Sequence, residues 1–356
     1  MTYDTDSQPH RHGWILPFTF LAVLLTGLAG ALLNPALLDA PDSNLVDGSW
    51  ASDYQDAFGE SFVFLEPSQA AWNALDLAVF GQGPESVIAG ADDWLFTAEE
   101  FAHAAQPEQV RQEWVEQLES VHEFLSAQGV PLLVALVPSK AASVPELAPP
   151  LPQAGADRYA ATLEDLAALG LETVDLRAAL RGRDAWLRTD THWTPQGADR
   201  AAALIAARML EVVPDLPVGA LEFAVQEPES VDFRGDLDRL LALGPFASIG
   251  PPADRITVQT VVQTSEPSGG LFDDATVDAV LVGTSYSEGA AWNLADRLRL
   301  ELGVDILDLS EAGSGPLAPM ADFLAGAALT SSPPRLVVWE LPERYLTDTT
   351  FLEELP

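Results

Sequence analysis

Pro131-Leu132-Leu133-Val134-Ala135-Leu136-Val137-Pro138 is an apolar run closed by proline at each end. A run of that length without polar alternation is what a strand covered on both faces needs, and such strands belong to parallel sheets. Upstream, Val110, Trp114, Val115, Leu118, Val121, His122 and Leu125 recur at helical spacing between Pro107 and Gln128, and Gly129 closes the segment. Downstream the pattern repeats as a helix near Asp157 to Leu169, a strand from Glu172 to Asp175, and a helix from Pro195 to about Leu210. It resumes as a strand from Val277 to Val282, a helix from about Glu288 to Leu302, and strands from Val304 to Leu309 and Arg335 to Glu340. Strands alternating with helices predict an α/β domain of three layers, a parallel sheet with helices on both faces.

The alternation is interrupted twice. Residues 34–105 mix short apolar runs with Pro, Asp and Gly and read as a loop-rich lead-in, with a turn and short strand at Asp92-Asp93-Trp94-Leu95-Phe96. Residues 213–275 have weak periodicity and read as an insertion. The 356 residues, 48% hydrophobic and 20% charged, provide material for a sizeable core and argue against disorder. Seventeen Lys+Arg against 54 Asp+Glu leave a net charge of −37, a field that repels phosphate backbones and excludes nucleic acid as a partner. The absence of cysteine excludes thiol catalysis, disulfides and Cys-type zinc sites.

Trp14 to Leu33 carries no charge over 20 residues, long enough to cross ~30 Å of hydrocarbon as one transmembrane helix. Arg11 and two histidines precede it and no Lys or Arg follows until Arg111, which orients residues 1–13 to the cytoplasm and the remainder outside. A cleaved signal peptide is the competing reading, because Ala29-Gly30-Ala31 has the small-x-small form of a cleavage site. Both place the domain outside the cytoplasm. The expected organisation is a tail 1–13, an anchor 14–33, a linker 34–79 and a domain 80–356.

Ligands of open α/β sheets bind at the carboxyl ends of the strands. Gly283-Thr284-Ser285-Tyr286-Ser287 follows one strand and precedes a helix, so the Ser285 hydroxyl stands exposed beside unpaired first-turn N–H groups that suit an oxyanion. Turn and cap hydrogen bonds are the plainer use of these serines. In Asp190-Thr191-His192-Trp193-Thr194-Pro195 the last two residues read as N-cap and first helical position. If the segment before them is extended, Asp190 and His192 project to one side, and Asp190 can hold the Nδ1 proton while Nε2 faces a serine. A histidine paired only for stability is the alternative. Of the other histidines beyond the span, His122 shares a helical face with Leu118 and Leu125, and His103 has no carboxylate two residues before it. No metal site is expected, since His192 would need carboxylates from distant segments. Gly313-Ser314-Gly315 is a candidate second oxyanion donor or a plain turn, Lys140 a candidate by location, and Trp193 and Tyr286 candidates for stacking on sugar rings or for packing. Arg177, Arg181, Arg183 and Arg188 make the stretch before Asp190 locally basic, fit either to hold an acidic sugar or to balance nearby acids.

The Asp190-Thr191-His192-Trp193 and Gly283-Thr284-Ser285-Tyr286 pair resembles the signature of the alginate O-acetyltransferase AlgJ/AlgX family, a branch of SGNH-hydrolase-like folds. Asp93-Trp94-Leu95-Phe96, Val137-Pro138-Ser139-Lys140, Phe233-Arg234-Gly235-Asp236-Leu237 and Trp339-Glu340-Leu341-Pro342-Glu343-Arg344 extend the resemblance over residues 80–345. Asp190 and His192 precede Ser285, the circularly permuted order of that family. The resemblance implies an extracytoplasmic acyltransferase acting on hydroxyls of an exported polysaccharide. Ser285 would be its nucleophile, His192 its base and acid, and Asp190 the orienter, with Gly283 beside the oxyanion. It implies no cofactor, and an acetyl donor supplied by a separate membrane-bound O-acyltransferase. The chain ends soon after Arg344, which reads as the AlgJ-like form without a carbohydrate-binding module. An acetylesterase of the same chemistry, or a non-catalytic glycan-binding or scaffold subunit of an export complex, are the other readings.

Overall fold

The computed structural model describes residues 14–33, 47–61, 64–102, 106–265, 277–326, 329 and 332–352. Backbone packing divides the chain into two units, Met1–Leu75 with Ala242–Ala247, and Asp76–Leu241 with Ser248–Pro356. Ile15–Leu33 and Ser49–Ser61 are helices of the first unit, and Leu65–Phe80 begins there. Ile15–Leu33 coincides with the expected anchor, but among the described residues no helix is long and apolar enough to cross a membrane. The expectation of a loop-rich lead-in fails at Ser49–Ser61 and Leu65–Phe80. These helices lack a long apolar stripe, and the proline that suggests a loop, Pro67, sits in a first turn where the missing N–H costs no hydrogen bond.

In the second unit the strands are β1 Val87–Ala89, β2 Leu95–Thr97, β3 Leu132–Val137, β4 Glu172–Asp175, β5 Phe223–Val225, β6 Glu229–Phe233, β7 Asp254–Val258, β8 Val261–Gln263, β9 Ala279–Val282, β10 Ile306–Asp308 and β11 Leu336–Pro342. The central sheet has the order β10-β9-β11-β3-β4 with every pairing parallel. Alternation along β3 explains its unbroken apolarity. Leu133, Ala135 and Val137 enter one core with Ala198, Ile205 and Leu298, whereas Leu132, Val134 and Leu136 enter another with Trp114, Leu118 and Phe323. The first core is covered by helices Pro195–Val212 and Leu294–Leu302, the second by Pro107–Ala127, Gln153–Ala168 and Ala318–Ala325. The three expected layers are present.

Two smaller features reach the rim of this sheet. β1 and β2 form an antiparallel hairpin turned by Asp92 and Asp93, both at positive φ, which aspartate tolerates better than most residues. The stretch expected as an insertion forms two antiparallel pairs, β5 with β8 and β6 with β7, and a short helix Asp236–Leu240; its residues 266–275 lie outside those described. Strands of three to five residues with half-exposed faces carry too little periodicity to stand out in sequence.

Candidate active site

β9 ends at Val282, and Thr284 caps the short helix Ser285–Glu288, its Oγ1 accepting from the Tyr286 N–H at 3.3 Å. Thr284, Tyr286 and Ser287 are buried, and Ser285 alone of the four is partly open. The turn is fastened from below by Glu340 of β11, which is fully buried. Its Oε2 accepts from Thr284 N at 2.8 Å, Thr284 Oγ1 at 3.0 Å and Ser287 Oγ at 3.1 Å. A Cβ at Gly283 would lie 2.8 Å from that oxygen and 2.6 Å from Ser287 Oγ, so only glycine fits. Burial pushes the Glu340 carboxyl up to about 7 against the pull of these donors.

The second segment is a tight bend, not the extended stretch expected. Trp186 and Trp193 pair across it as a β-bridge, and the Leu187 N–H donates to His192 O at 3.1 Å. Within the bend Asp190 Oδ1 accepts from the His192 N–H at 2.9 Å and lies 2.5 Å from His192 Nδ1, an Asx-type turn that brings ring and carboxylate together by hydrogen bonding where strand geometry would have relied on pleat. Burial opposes ionisation of Asp190, but the hydrogen bonds and charge of His192 and the Asp236 N–H outweigh it and hold the carboxyl below its usual range. An ionised Asp190 makes Nδ1 the protonated nitrogen and leaves Nε2 as acceptor. Nε2 lies 2.7 Å from Ser285 Oγ, 93 positions along the chain. The structure thus brings Asp190, His192 and Ser285 into one hydrogen-bonded line at the carboxyl ends of the sheet.

Three neighbours carry no role in the sequence reading. Asp236, first residue of the short helix Asp236–Leu240, accepts from the Thr191 N–H at 2.8 Å and Thr191 Oγ1 at 2.5 Å, donates its own N–H to Asp190 Oδ2 at 2.8 Å, and has Oδ2 3.8 Å from His192 Nδ1. Trp292 stacks on His192 with centroids 4.9 Å apart and rings inclined by 20°, and donates Nε1–H to Ser285 O at 3.0 Å. Glu340 is the third. Its signal was present, since an ionisable side chain in a strand buried on both faces demands dedicated partners; Asp236 lies within a quoted motif and Trp292 shortly after another, with no duty legible in sequence for either.

Several candidates move to other duties. Lys140 is 1% exposed and donates from Nζ to Leu95 O at 2.6 Å, Asp190 O at 2.8 Å and Arg188 O at 3.3 Å, so it ties the bend to β2 from beneath and faces no substrate. Burial lowers its ammonium to about 8, opposed by Glu100, Asp190 and other carboxylates. Trp193 and Tyr286 are buried, packing ring edge to face at 5.3 Å, and Tyr286 donates its hydroxyl to Thr191 O at 2.8 Å; both are walls of the site and neither is a sugar platform. Gly313 and Gly315 both take positive φ in a turn, and a Cβ at Gly315 would strike the Phe351 ring, which accounts for these glycines without an oxyanion role. Arg177 pairs with Asp175, Arg183 with Asp92 and Glu146, and Arg188 with Asp254, the balancing role. His122 is half-buried on its helix, and His103 lies outside the described residues.

Asp190, His192 and Asp236 also place three donor atoms within 4.8 Å of one another, a spacing a cation can use. The chemistry of the donors argues for another use. Asp190 accepts from His192 and Asp236, and Asp236 accepts from Thr191 and the Leu237 N–H, so a metal would have to displace the hydrogen bonds that shape the bend.

Residues 87–343 match the family described as SGNH hydrolase-like domain, acetyltransferase AlgX. The chain belongs to this family. It is 35% identical over 344 residues to the probable alginate O-acetylase AlgJ of Azotobacter vinelandii, covering 92% of this chain and 86% of that one. With the probable alginate O-acetylase AlgJ of Pseudomonas aeruginosa it shares 34% over 359 residues, covering 96% and 90%. Among solved structures, the O-acetyltransferase domain of Pseudomonas putida AlgJ superposes with a TM-score of 0.66 at 32% identity, over 74% of this chain and 92% of that chain. Pseudomonas aeruginosa AlgX superposes at 0.58 with 24% identity over 74% of this chain and 64% of that one, a likeness of fold. The α/β domain is therefore SGNH-hydrolase-like, as the motifs implied.

Proposed function

We propose that this protein is an extracytoplasmic O-acetyltransferase that moves an acetyl group through Ser285 onto hydroxyls of an exported polysaccharide. The observation that carries the reading is the line from Asp190 Oδ1 to His192 Nδ1 at 2.5 Å and from His192 Nε2 to Ser285 Oγ at 2.7 Å, in a family of acetyltransferases. Relatives named for alginate support a polysaccharide acceptor.

In the first half-reaction Ser285 Oγ attacks the donor's acetyl carbon while its proton passes to His192 Nε2. The bond to the leaving group breaks and that group takes the proton from Nε2, leaving acetyl-Ser285. In the second, a sugar hydroxyl oxygen attacks the acetyl carbon and its proton passes to Nε2, then to Ser285 Oγ as the ester bond breaks. Each step forms an oxyanion. Within the turn, Tyr286 N–H is taken by Thr284 Oγ1 and Ser287 N–H by Thr284 O, which leaves the Ser285 N–H to meet it. Asp190 stabilises the imidazolium formed in each half, and the Trp292 ring over His192 keeps water from that face.

The proposal places the domain outside the cytoplasm, anchored by Ile15–Leu33. What supports an anchor is the sequence, uncharged from Trp14 to Leu33, together with the exposure of the large side chains from Trp14 to Leu28. A membrane-bound O-acyltransferase would present the acetyl group at that surface. The test uses the full chain in detergent with a chromogenic acetyl ester and a panel of oligosaccharides. Wild type is expected to release chromophore and to add one acetyl mass to an oligosaccharide, and Ser285→Ala to do neither while staying folded. Chromophore release without any acetylated sugar would favour an acetylesterase. Full cellular function in Ser285→Ala would favour a non-catalytic scaffold.

A further inference from the structure

Thr191, between the aspartate and the histidine of the catalytic line, carries a hydroxyl that the mechanism above does not use. It is buried, and its Oγ1 lies 3.1 Å from His192 Nδ1 and 2.5 Å from Asp236 Oδ2. A hydroxyl has one proton to give and lone pairs to receive with, whereas a carboxylate oxygen only receives. The Thr191 proton therefore goes to Asp236, and a lone pair of Oγ1 is left facing Nδ1. The Nδ1–H, held by Asp190 Oδ1 at 2.5 Å, thereby meets a second acceptor. With the hydroxyl turned round, its proton would oppose the Nδ1–H across 3.1 Å and weaken the hold of Asp190 on the ring.

The local backbone fixes Asp236 for this task. Its Oδ1 accepts from the Thr191 N–H at 2.8 Å and the Leu237 N–H at 2.7 Å, which leaves Oδ2 to the hydroxyl. Three main-chain donors of the same segment clasp the bend: Gly235 N–H to Thr189 Oγ1 at 3.2 Å, Asp236 N–H to Asp190 Oδ2 at 2.8 Å, and Asp238 N–H to Thr189 O at 3.1 Å. A Cβ at Gly235 would collide with Thr189 O, so this approach requires glycine. Oδ2 of Asp236 also lies 3.8 Å from His192 Nδ1, close enough for its charge to act on an imidazolium.

We propose that Asp236 is a positioning residue of the acyl-transfer site: it takes the Thr191 proton, turns a Thr191 lone pair onto the His192 Nδ1–H, and adds a second negative charge beside the imidazolium formed in each half-reaction. The inference rests on the acyl-transfer reading of Ser285 and deepens it. It also gives Gly235-Asp236 a duty in that chemistry, the glycine allowing the close approach and the aspartate supplying the acceptor. Asp190 alone would hold the ring by one hydrogen bond. With Thr191 oriented by Asp236, the Nδ1–H has two acceptors, and the ring is kept with Nε2 toward Ser285 Oγ at 2.7 Å.

The test is a double-mutant cycle on the full chain in detergent, read as kcat for a chromogenic acetyl ester. Asparagine at 236 keeps an oxygen for the Thr191 and Leu237 N–H groups and sets an amide donor where Oδ2 stood, which turns the Thr191 proton toward Nδ1. Asp236→Asn is expected to lower kcat about thirtyfold and to change KM less than about twofold. In a Thr191→Val chain, which has no hydroxyl to turn, the same change should cost only about fivefold, the loss of the charge alone. Thr191→Ser restores a hydroxyl, and beside it the cost should return to about thirtyfold. Low-field proton NMR gives a readout that needs no turnover: the His192 Nδ1–H resonance should shift on Asp236→Asn, and shift less when valine replaces Thr191. If circular dichroism shows Asp236→Asn unfolded, Asp236→Ala, which leaves the hydroxyl without its acceptor, should show the same larger loss beside threonine than beside valine. Equal losses in the two backgrounds, or a resonance unmoved by Asp236→Asn, overturn the proposal. Absence of ester turnover in wild type would instead overturn the acyl-transfer reading, and the resonance would still decide Asp236.

Discussion

Replacing Glu340 by glutamine separates the charge of this carboxyl from its hydrogen bonds. In the folded chain burial raises the group from 4.5 to about 7, so between those values the native state holds a proton that the unfolded chain has lost. Stability from this group is therefore full below about pH 4.5 and declines as pH rises through 7. The difference is worth on the order of 3 kcal/mol, and full burial leaves no solvent screening to discount. Glutamine keeps the length, its carbonyl can take the place of Oε2 before Thr284 and Ser287, and its amide faces Thr284 Oγ1 at the position of Oε1, 3.3 Å away. The assay is denaturant unfolding of the full chain, followed by tryptophan fluorescence at pH 5, 6, 7 and 8. Wild type should lose stability over that range through Glu340, Glu343 and the repulsion of an acidic surface, and Glu340→Gln should lose about 3 kcal/mol less. Because the comparison is a difference between two chains, the common background cancels. Identical pH slopes would refute the assignment of a proton to Glu340 in the folded state. Glu340→Leu, which strands the Thr284 N–H and the Ser287 hydroxyl, should be destabilised at every pH.

Ser285→Ala should lower ester turnover by roughly a thousandfold or more with an unchanged unfolding midpoint, since its hydroxyl makes one hydrogen bond, to His192. Gly283→Ala places a methyl 2.6 Å from Ser287 Oγ and 2.8 Å from Glu340, and is expected to cost about 2 to 3 kcal/mol in denaturant melts and most of the activity. Lys140→Met leaves three carbonyls without their donor, and its kcat should fall about tenfold with little change in KM, because the Asp190 backbone loses its tether. Trp292→Phe retains a ring over His192 but removes the bond to Ser285 O; a several-fold loss of kcat is expected, and no loss would show that the indole N–H is dispensable.

The sheet and its two helical layers were readable from residue order because a strand buried on both faces accepts few polar side chains, so β3 and β9 are uninterrupted apolar runs and β11 is broken only at Glu340. The site was readable by elimination: few histidines lie beyond the span, and one stands two places after an aspartate and shortly before a helix cap. Pairing those residues with Ser285 was an inference that needed a fold to bring positions 93 apart to one rim. What tertiary structure alone decided is the support beneath them. Asp236 reaches Asp190 across 46 positions from a short helix with no periodicity to register, and Glu340 reaches Thr284 across 56 from a strand that was legible but whose neighbours were not. Burial likewise turned Trp193, Tyr286 and Lys140 from candidate ligand contacts into walls and tethers. Local chemistry declares which groups can react. Which neighbours surround them, and whether water reaches them, depends on packing between distant segments, a property that no single stretch of sequence contains.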